Sequence, residues 1–360
     1  MRINKKKYTT IWPEKDDIKI IDQTKLPFEI VEETLKTTED FFTAIRDMKV
    51  RGAPLIGITA AFGLAMSLKI NSHNSNLKKT YRKLLSARPT AVNLKWAMDI
   101  IMHEVQFAPP KYRFDLAIKK AIDLMNDDIK KCKKIGEMGF KLIQEKFKKK
   151  KTPINILTHC NAGWLATVDW GTALSPIFLA SRRKIPLHIW VDETRPRNQG
   201  ALLTAWELKN ENISYTIVVD NAGGHLMQQG KVDLCLVGSD RTAMNGDVCN
   251  KIGTYLKAIA AYQNKVPFYV ALPKSTIDKK LAKGVNMIEI EHRDTNELTD
   301  LNIYKNKKFE KNRIYFDCKN VFNPAFDVTP SKYITALITE EGIIKPNKKE
   351  IKNIFKLNDK

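Results

Sequence analysis

The chain is expected to fold as an α/β protein, with a mainly helical amino-terminal part followed by a parallel sheet carrying helices on both faces. Two observations lead there. Up to about residue 147 the apolar residues recur mostly at helical spacing, whereas from Ile154 short β-branched runs alternate with stretches long enough for crossover helices. The length, 360 residues, points the same way, because one core of ordinary size rarely serves so long a chain.

Taken in order, Thr37 with Asp40 three residues later reads as a capping box, and Phe41, Ile45 and Met48 follow on one face of a helix expected to end near Lys49. Pro54 suits the first turn of the next helix, in which Ala60, Ala61, Gly63 and Ala65 permit close packing. Leu94, Met98, Ile101 and Val105 mark a third. Residues 111–147 continue helically, with Ile118, Ile122, Met125 and Ile129 on one face, and the basic segment 148–153 reads as a linker. The expected strands are 154–157, 187–191, 216–219, 233–237 and 268–272. In the lysine-rich tail, Ile351, Ile354, Phe355 and Leu357 keep roughly helical spacing.

Composition narrows the function classes. At 43% hydrophobic and 28% charged residues the chain reads as a folded protein, and no apolar run approaches the roughly 20 residues of a membrane span, which excludes a membrane protein. The basic start, 1–7, leads into no apolar segment or cleavage site, so the expected location is cytoplasmic. Five cysteines, at 132, 160, 235, 249 and 318, contain no CxxC pair and are read as reduced thiols. The net charge of +21 raises the question of nucleic acid, but the lysines are dispersed and the densest run, 148–151, has no interleaved aromatics. A solvated basic surface is the expectation.

Parallel sheets bind ligands beyond the carboxyl ends of their strands. The first strand runs into Thr158-His159-Cys160-Asn161-Ala162-Gly163 and the fourth into Gly238-Ser239-Asp240-Arg241, so a thiol and a carboxylate both fall at strand ends. Alone, Cys160 reads equally as an inert buried thiol and Asp240 as a turn cap. Their joint placement brings in chemistry. For an anionic group, Arg51-Gly52-Ala53-Pro54 puts a guanidinium and backbone amides at a helix start, Asn250-Lys251 is expected to open another helix, and Arg88 lies in a turn-rich segment. Each of these also reads as a surface cation or cap. Arg195, Arg197 and Gln199 form a further polar loop. No GxGxxG follows a strand, residues 224–231 miss the P-loop spacing, and the six histidines give no HExxH and no metal spacing with cysteine. His159 beside Cys160 is read as structural or orienting, because neighbours on a strand point to opposite faces.

These motifs resemble those of the methylthioribose-1-phosphate isomerase family of methionine salvage, a family shared with regulatory subunits of the translation-initiation guanine-nucleotide exchange factor. The resemblance runs in order through Arg51 to Pro54, Asn93 to Ala97, Thr158 to Gly163, Asp192 to Arg197, Gln199 to Ala201, Gly238 to Arg241, Asn245 to Asp247, Asn250 to Tyr255 and Asn323 to Pro330. It implies a smaller, mainly helical amino-terminal domain, 1–130, on a Rossmann-like catalytic domain, 131–360. It further implies a homodimer, a sugar phosphate substrate and no cofactor or metal. Asp240 falls on the family's proton donor and Cys160 on its essential thiol; Arg51, Gly52, Ala53, Arg88, Gln199, Asn250 and Lys251 fall on substrate-binding positions. Cys249 departs from the small residue expected beside Asn250. An apolar setting is expected to raise the Asp240 carboxyl, and a cationic one to lower the Cys160 thiol.

Overall fold

The change of periodicity at residue 154 is where the main sheet begins. A computed structural model describes residues 1–3, 6–316, 318 and 320–356. Seven strands build the sheet: β1 (Ile154–Thr158), β2 (Leu187–Asp192), β3 (Tyr215–Val218), β4 (Leu234–Val237), β5 (Phe268–Ala271), β6 (Ala336–Thr339) and β7 (Gly342–Ile344). Their order across the sheet is β3-β2-β1-β4-β5-β6-β7, and every pair is parallel except β6 with β7. The first six therefore follow the 3-2-1-4-5-6 order of a doubly wound nucleotide-binding sheet. The fold is the expected Rossmann-like α/β arrangement with a helical amino-terminal region. Side chains alternate between two cores: Ile154, Ile156, Leu234 and Leu236 enter one, and Leu157, Cys235 and Val237 the other. Burial on both faces is why these strands read as continuous apolar runs.

The amino-terminal helices are α1 (Thr38–Arg46), α2 (Ala53–Ile70), α3 (Asn74–Ser86), α4 (Val92–Val105) and α5 (Pro110–Lys150). The capping box closes as expected, with Asp40 N donating to Thr37 Oγ1 and Thr37 N to Asp40 Oδ2. The helix stops at Arg46 rather than near Lys49, and Met48 has turned into the left-handed region. Contrary to the expectation that no apolar run is long enough, α2 would cross a membrane by length and composition; 83% of it is buried inside the protein. A helix that is apolar all round is a core helix when helices surround it.

The expected linker at 148–153 is also corrected, because α5 continues through Lys150 and ends on Lys151 at φ 57°. Its Ala117, Ala121 and Leu124 belong to the amino-terminal core, while Ile135 and Ile143 belong to a core of the sheet. Sequence periodicity missed the short strands outside the main sheet, which pair antiparallel except for Arg241–Ala243 with Ile277–Asp278. Ile11–Glu14, Asp17–Ile21 and Glu32–Leu35 form a three-stranded sheet before α1. Ile277–Asp278, Arg241–Ala243, Val248–Lys251 and Phe326–Thr329 form a second sheet of four. The tail helix, Lys348–Lys356, buries Ile351 and Ile354; Leu357 lies outside the described residues. All five cysteines are free thiols.

Asp128 of α5 is buried, and its Oδ2 accepts Val168 N at 2.8 Å. Burial pushes its carboxyl up to about 7. A raised carboxyl contributes stability that is full below the ordinary carboxyl range and is lost as pH rises through about 7. Asp128→Asn keeps an acceptor without the charge. It should stabilise the protein at pH 8 by on the order of 2–3 kcal/mol in urea unfolding, with the gain fading toward pH 4. A gain independent of pH would refute the assignment.

Candidate active site

Between β1 and β4 the strand order reverses, and the chain leaves β1 into His159-Cys160-Asn161 and β4 into Gly238-Ser239-Asp240. A cleft opens there, and Cys160, Asp240, Arg51, Gly52, Ala53, Arg88, Gln199, Asn250 and Lys251 all line it. The nine residues come from both the helical region and the sheet. Tertiary structure brings together groups up to 200 residues apart.

Each is held by its local backbone. Gly52 caps α2 at φ 88°, and a Cβ there would lie 2.4 Å from Ala166 O, so only glycine lets Arg51 approach the turn after β1. The Arg51 guanidinium donates to Asn161 Oδ1 and, at 2.6 Å, to Asn161 O. Arg88 is paired with Glu291 at 2.8 Å. Asn250 and Lys251 do not open a helix as expected; they end the strand Val248–Lys251, paired with Asp327 and Phe326, and the next helix, α6 (Thr254–Gln263), begins three residues later. With its carboxamide turned to satisfy both polar atoms, Asn250 donates to Asp240 Oδ2 (3.2 Å) and Gly238 O (3.3 Å) and accepts from Thr254 Oγ1. Of the polar loop 195–199, only Gln199 reaches this cleft. Arg195 donates to Leu298 O and Arg197 pairs with Glu297. The Gln199 Oε1 is buried with no hydrogen-bond partner among the described residues.

The electrostatics follow from burial among cations. Arg51, Arg88 and Lys251 are each less than a tenth exposed. Desolvation raises the Asp240 carboxyl above its usual range, although Lys251, Arg88 and Arg51 pull it down. The same burial lowers the Lys251 ammonium. For Cys160 the expectation is corrected: burial pushes the thiol above its ordinary value, outweighing Arg51 and Lys251, and the Asp240 charge adds to the rise. Cys160 itself sits at φ 63°, with its N–H donated to Thr194 Oγ1.

His159 does not face away from Cys160 by strand alternation, because β1 has already ended; both line the cleft. Its Nδ1 lies 3.0 Å from Asp192 Oδ2 and its Nε2 2.8 Å from Ile252 O, so both ring nitrogens are occupied. This agrees with an orienting role. His159, Asp192 and Asp220 bring three potential metal ligands within 4.8 Å of one another. Most of their ligand atoms are already engaged, since Asp192 Oδ2 also faces Lys257 at 3.4 Å and Asp220 accepts the Thr194 and Arg195 N–H groups, while Asp192 Oδ1 has no hydrogen-bond partner among the described residues. Sequence reasoning assigned no role to Asn161, Glu207 or Glu291. Asn161 stood inside a quoted motif, whereas an isolated glutamate in an ordinary helical or coil stretch carries no signal.

Residues 49–346 match the Initiation factor 2 subunit family. The chain belongs to that family. Among its relatives, a methylthioribose-1-phosphate isomerase of Methylorubrum extorquens is 50% identical over 346 residues, 95% of each chain. The crystal structure of 5-methylthioribose 1-phosphate isomerase from Pyrococcus horikoshii matches with a TM-score of 0.83 at 37% identity, covering 98% of this chain and 97% of that one. The structure of translation initiation factor eIF-2B, subunit delta, from A. fulgidus matches with a TM-score of 0.78 at 35% identity, covering 97% and 100%. The family thus includes members named as isomerases and members named as initiation factors, and the contents of the cleft bear on which kind this chain is.

Proposed function

We propose that this chain is a methylthioribose-1-phosphate isomerase, converting 5-methylthioribose 1-phosphate into 5-methylthioribulose 1-phosphate in methionine salvage. The observation that carries it is the cleft at the β1/β4 switch point, where a thiol and a raised carboxyl face three buried cations. The relatives of about 50% identity along nearly the whole chain support the same substrate.

In the proposed chemistry the anomeric oxygen carries phosphate, so the sugar cannot open to a free aldehyde. Asp240 donates its proton to the ring oxygen as the C1–O bond breaks, and the Cys160 thiolate takes the proton from C2. A 1-phosphoenol results; protonation at C1 and loss of the C2 hydroxyl proton give the ketose with its ester intact. A direct hydride shift from C2 to C1 is the rival route. Arg51, Arg88 and Lys251, with the amides of Gly52 and Ala53, hold the phosphate, and the unpaired Gln199 Oε1 suits a sugar hydroxyl. The proposal includes a division into 1–130 and 131–360, which falls within α5 so that one helix serves both domains, together with a cytoplasmic homodimer, no cofactor, and neither nucleic acid nor membrane as partner.

The likeness to an initiation-factor subunit favours a second reading, a regulatory subunit without catalysis. Presence of both Cys160 and Asp240 in one cleft weighs against it. Incubation with 5-methylthioribose 1-phosphate, alongside ribose and 5-deoxyribose 1-phosphates, should produce ketose fastest from the methylthio sugar. Turnover of none of the three would move the regulatory reading to the front.

A further inference from the structure

Behind the cleft lies a buried acid with no place in the chemistry just described. Glu207 lies in the helix Ala205–Asn210, which follows a five-residue π-turn, Gly200–Thr204. Such turns re-aim the side chains after them and recur at functional sites. Its side chain is fully buried, and its carboxylate accepts Asn161 Nδ2 (2.9 Å), Trp164 N (3.0 Å) and Leu165 N (3.1 Å). All three donors belong to the turn that follows Cys160. The packing is close: a Cβ on Gly163 would lie 1.9 Å from Glu207 Oε2.

We infer that Glu207 is a positioning residue that sets Arg51 and Cys160 against each other across the cleft, acting through Asn161. Asn161 gives its Nδ2 to Glu207 and Thr204 Oγ1, while its two oxygens receive the Arg51 guanidinium. Thr204 Oγ1 in turn donates to Cys160 O at 2.7 Å. The carboxylate thus fixes the carboxamide, the carboxamide fixes the guanidinium, and the same turn carries the thiol. Burial pushes this carboxyl up to about 7 while its three donors favour the ionised form, which suits the role because it only accepts hydrogen bonds.

This rests on Arg51 holding the substrate phosphate, so the test includes a readout that needs no turnover. Alkylation of Cys160 by iodoacetamide, read by mass spectrometry of its peptide, should be slowed by inorganic phosphate in the wild-type protein. In Glu207→Gln, which turns an NH2 toward a donor, the phosphate concentration that protects should rise roughly ten- to hundredfold, and KM should rise more than kcat falls. Asn161→Ala cuts the link to Arg51 while leaving Glu207 its two backbone donors, and should behave alike even if Glu207→Gln does not fold. Wild-type protection in either folded variant would overturn the inference, as would absence of protection in the wild type. Failure of the isomerase proposal would show separately, as protection without turnover of any sugar phosphate.

Discussion

Asp240→Asn is expected to lower kcat/KM for 5-methylthioribose 1-phosphate by about 10²- to 10⁴-fold, the usual share of a positioned general acid, with the fold unchanged. Asparagine is close to isosteric and still meets Asn250, yet it has no proton to give the ring oxygen. A second effect runs in the opposite direction. The Asp240 charge is one of the influences that raise the Cys160 thiol, so its removal should make Cys160 alkylate faster at alkaline pH. Unfolding would also cost turnover and unmask this buried thiol, so the comparison is read beside Cys132 and Cys235, which are fully buried and stay unreactive only while the fold holds. Near-normal turnover in Asp240→Asn would remove Asp240 from the chemistry.

Cys160→Ala should have a loss as large, about 10²- to 10⁴-fold, because in the proposed chemistry its thiolate is the group that takes the C2 proton. The pH profile of the wild-type protein is the finer test. Burial raises both groups, the carboxyl from near 4 and the thiol from near 9. The working state pairs a protonated acid with a deprotonated thiol, which is the reverse of their natural order. For such a pair kcat/KM rises with pH until the carboxyl titrates, stays level, and falls once the thiol titrates, and the level region is a small fraction set by the gap between the two. Raising Asp240 narrows that gap and enlarges the competent fraction, so desolvation of the acid favours the rate although it disfavours the charge. Lys251 and Arg51 help from the other side by holding the thiol lower than burial alone would. A rate that climbs steadily to high pH, with no falling limb, would contradict this pairing.

Five of the seven strands of the main sheet were readable, the central ones because they are buried on two faces; the edge strand β3 is largely exposed, and β6 and β7 were not read. Five runs, from Ile154 to Leu272, stand out as apolar segments at crossover spacing, and strand-end logic then selected Cys160 and Asp240. The four-stranded sheet was not readable, because strands such as Arg241–Ala243 and Val248–Lys251 are three or four residues long and carry polar groups in place of an apolar rhythm. That cost the reading of Asn250 and Lys251, which end a strand. The family resemblance placed them in the cleft where local pattern had put them at a helix start. The thiol was misjudged for a different reason: residue types reveal nearby cations, but not how completely water is excluded, and here exclusion is the larger influence. Glu207 was invisible because its importance lies wholly in three donors from a turn some 40 residues earlier.

The unbroken course of α5 bears on how the molecule could embrace a substrate. At about 1.5 Å per residue its 41 residues make a rod about 60 Å long, with one end in the helical core and the other against the sheet. Where it crosses, Gly136 and Gly139 let Ser175 and Pro176 press directly on its backbone. Two-domain enzymes commonly shut like a jaw about a few loop residues that absorb the rotation. A continuous helix shared by both cores is not such a joint, so any rotation between them has to be absorbed elsewhere in the chain. A second tie between the helical region and the sheet is the salt-bridged segment Glu291 to Glu297, which links Arg88 to Arg197.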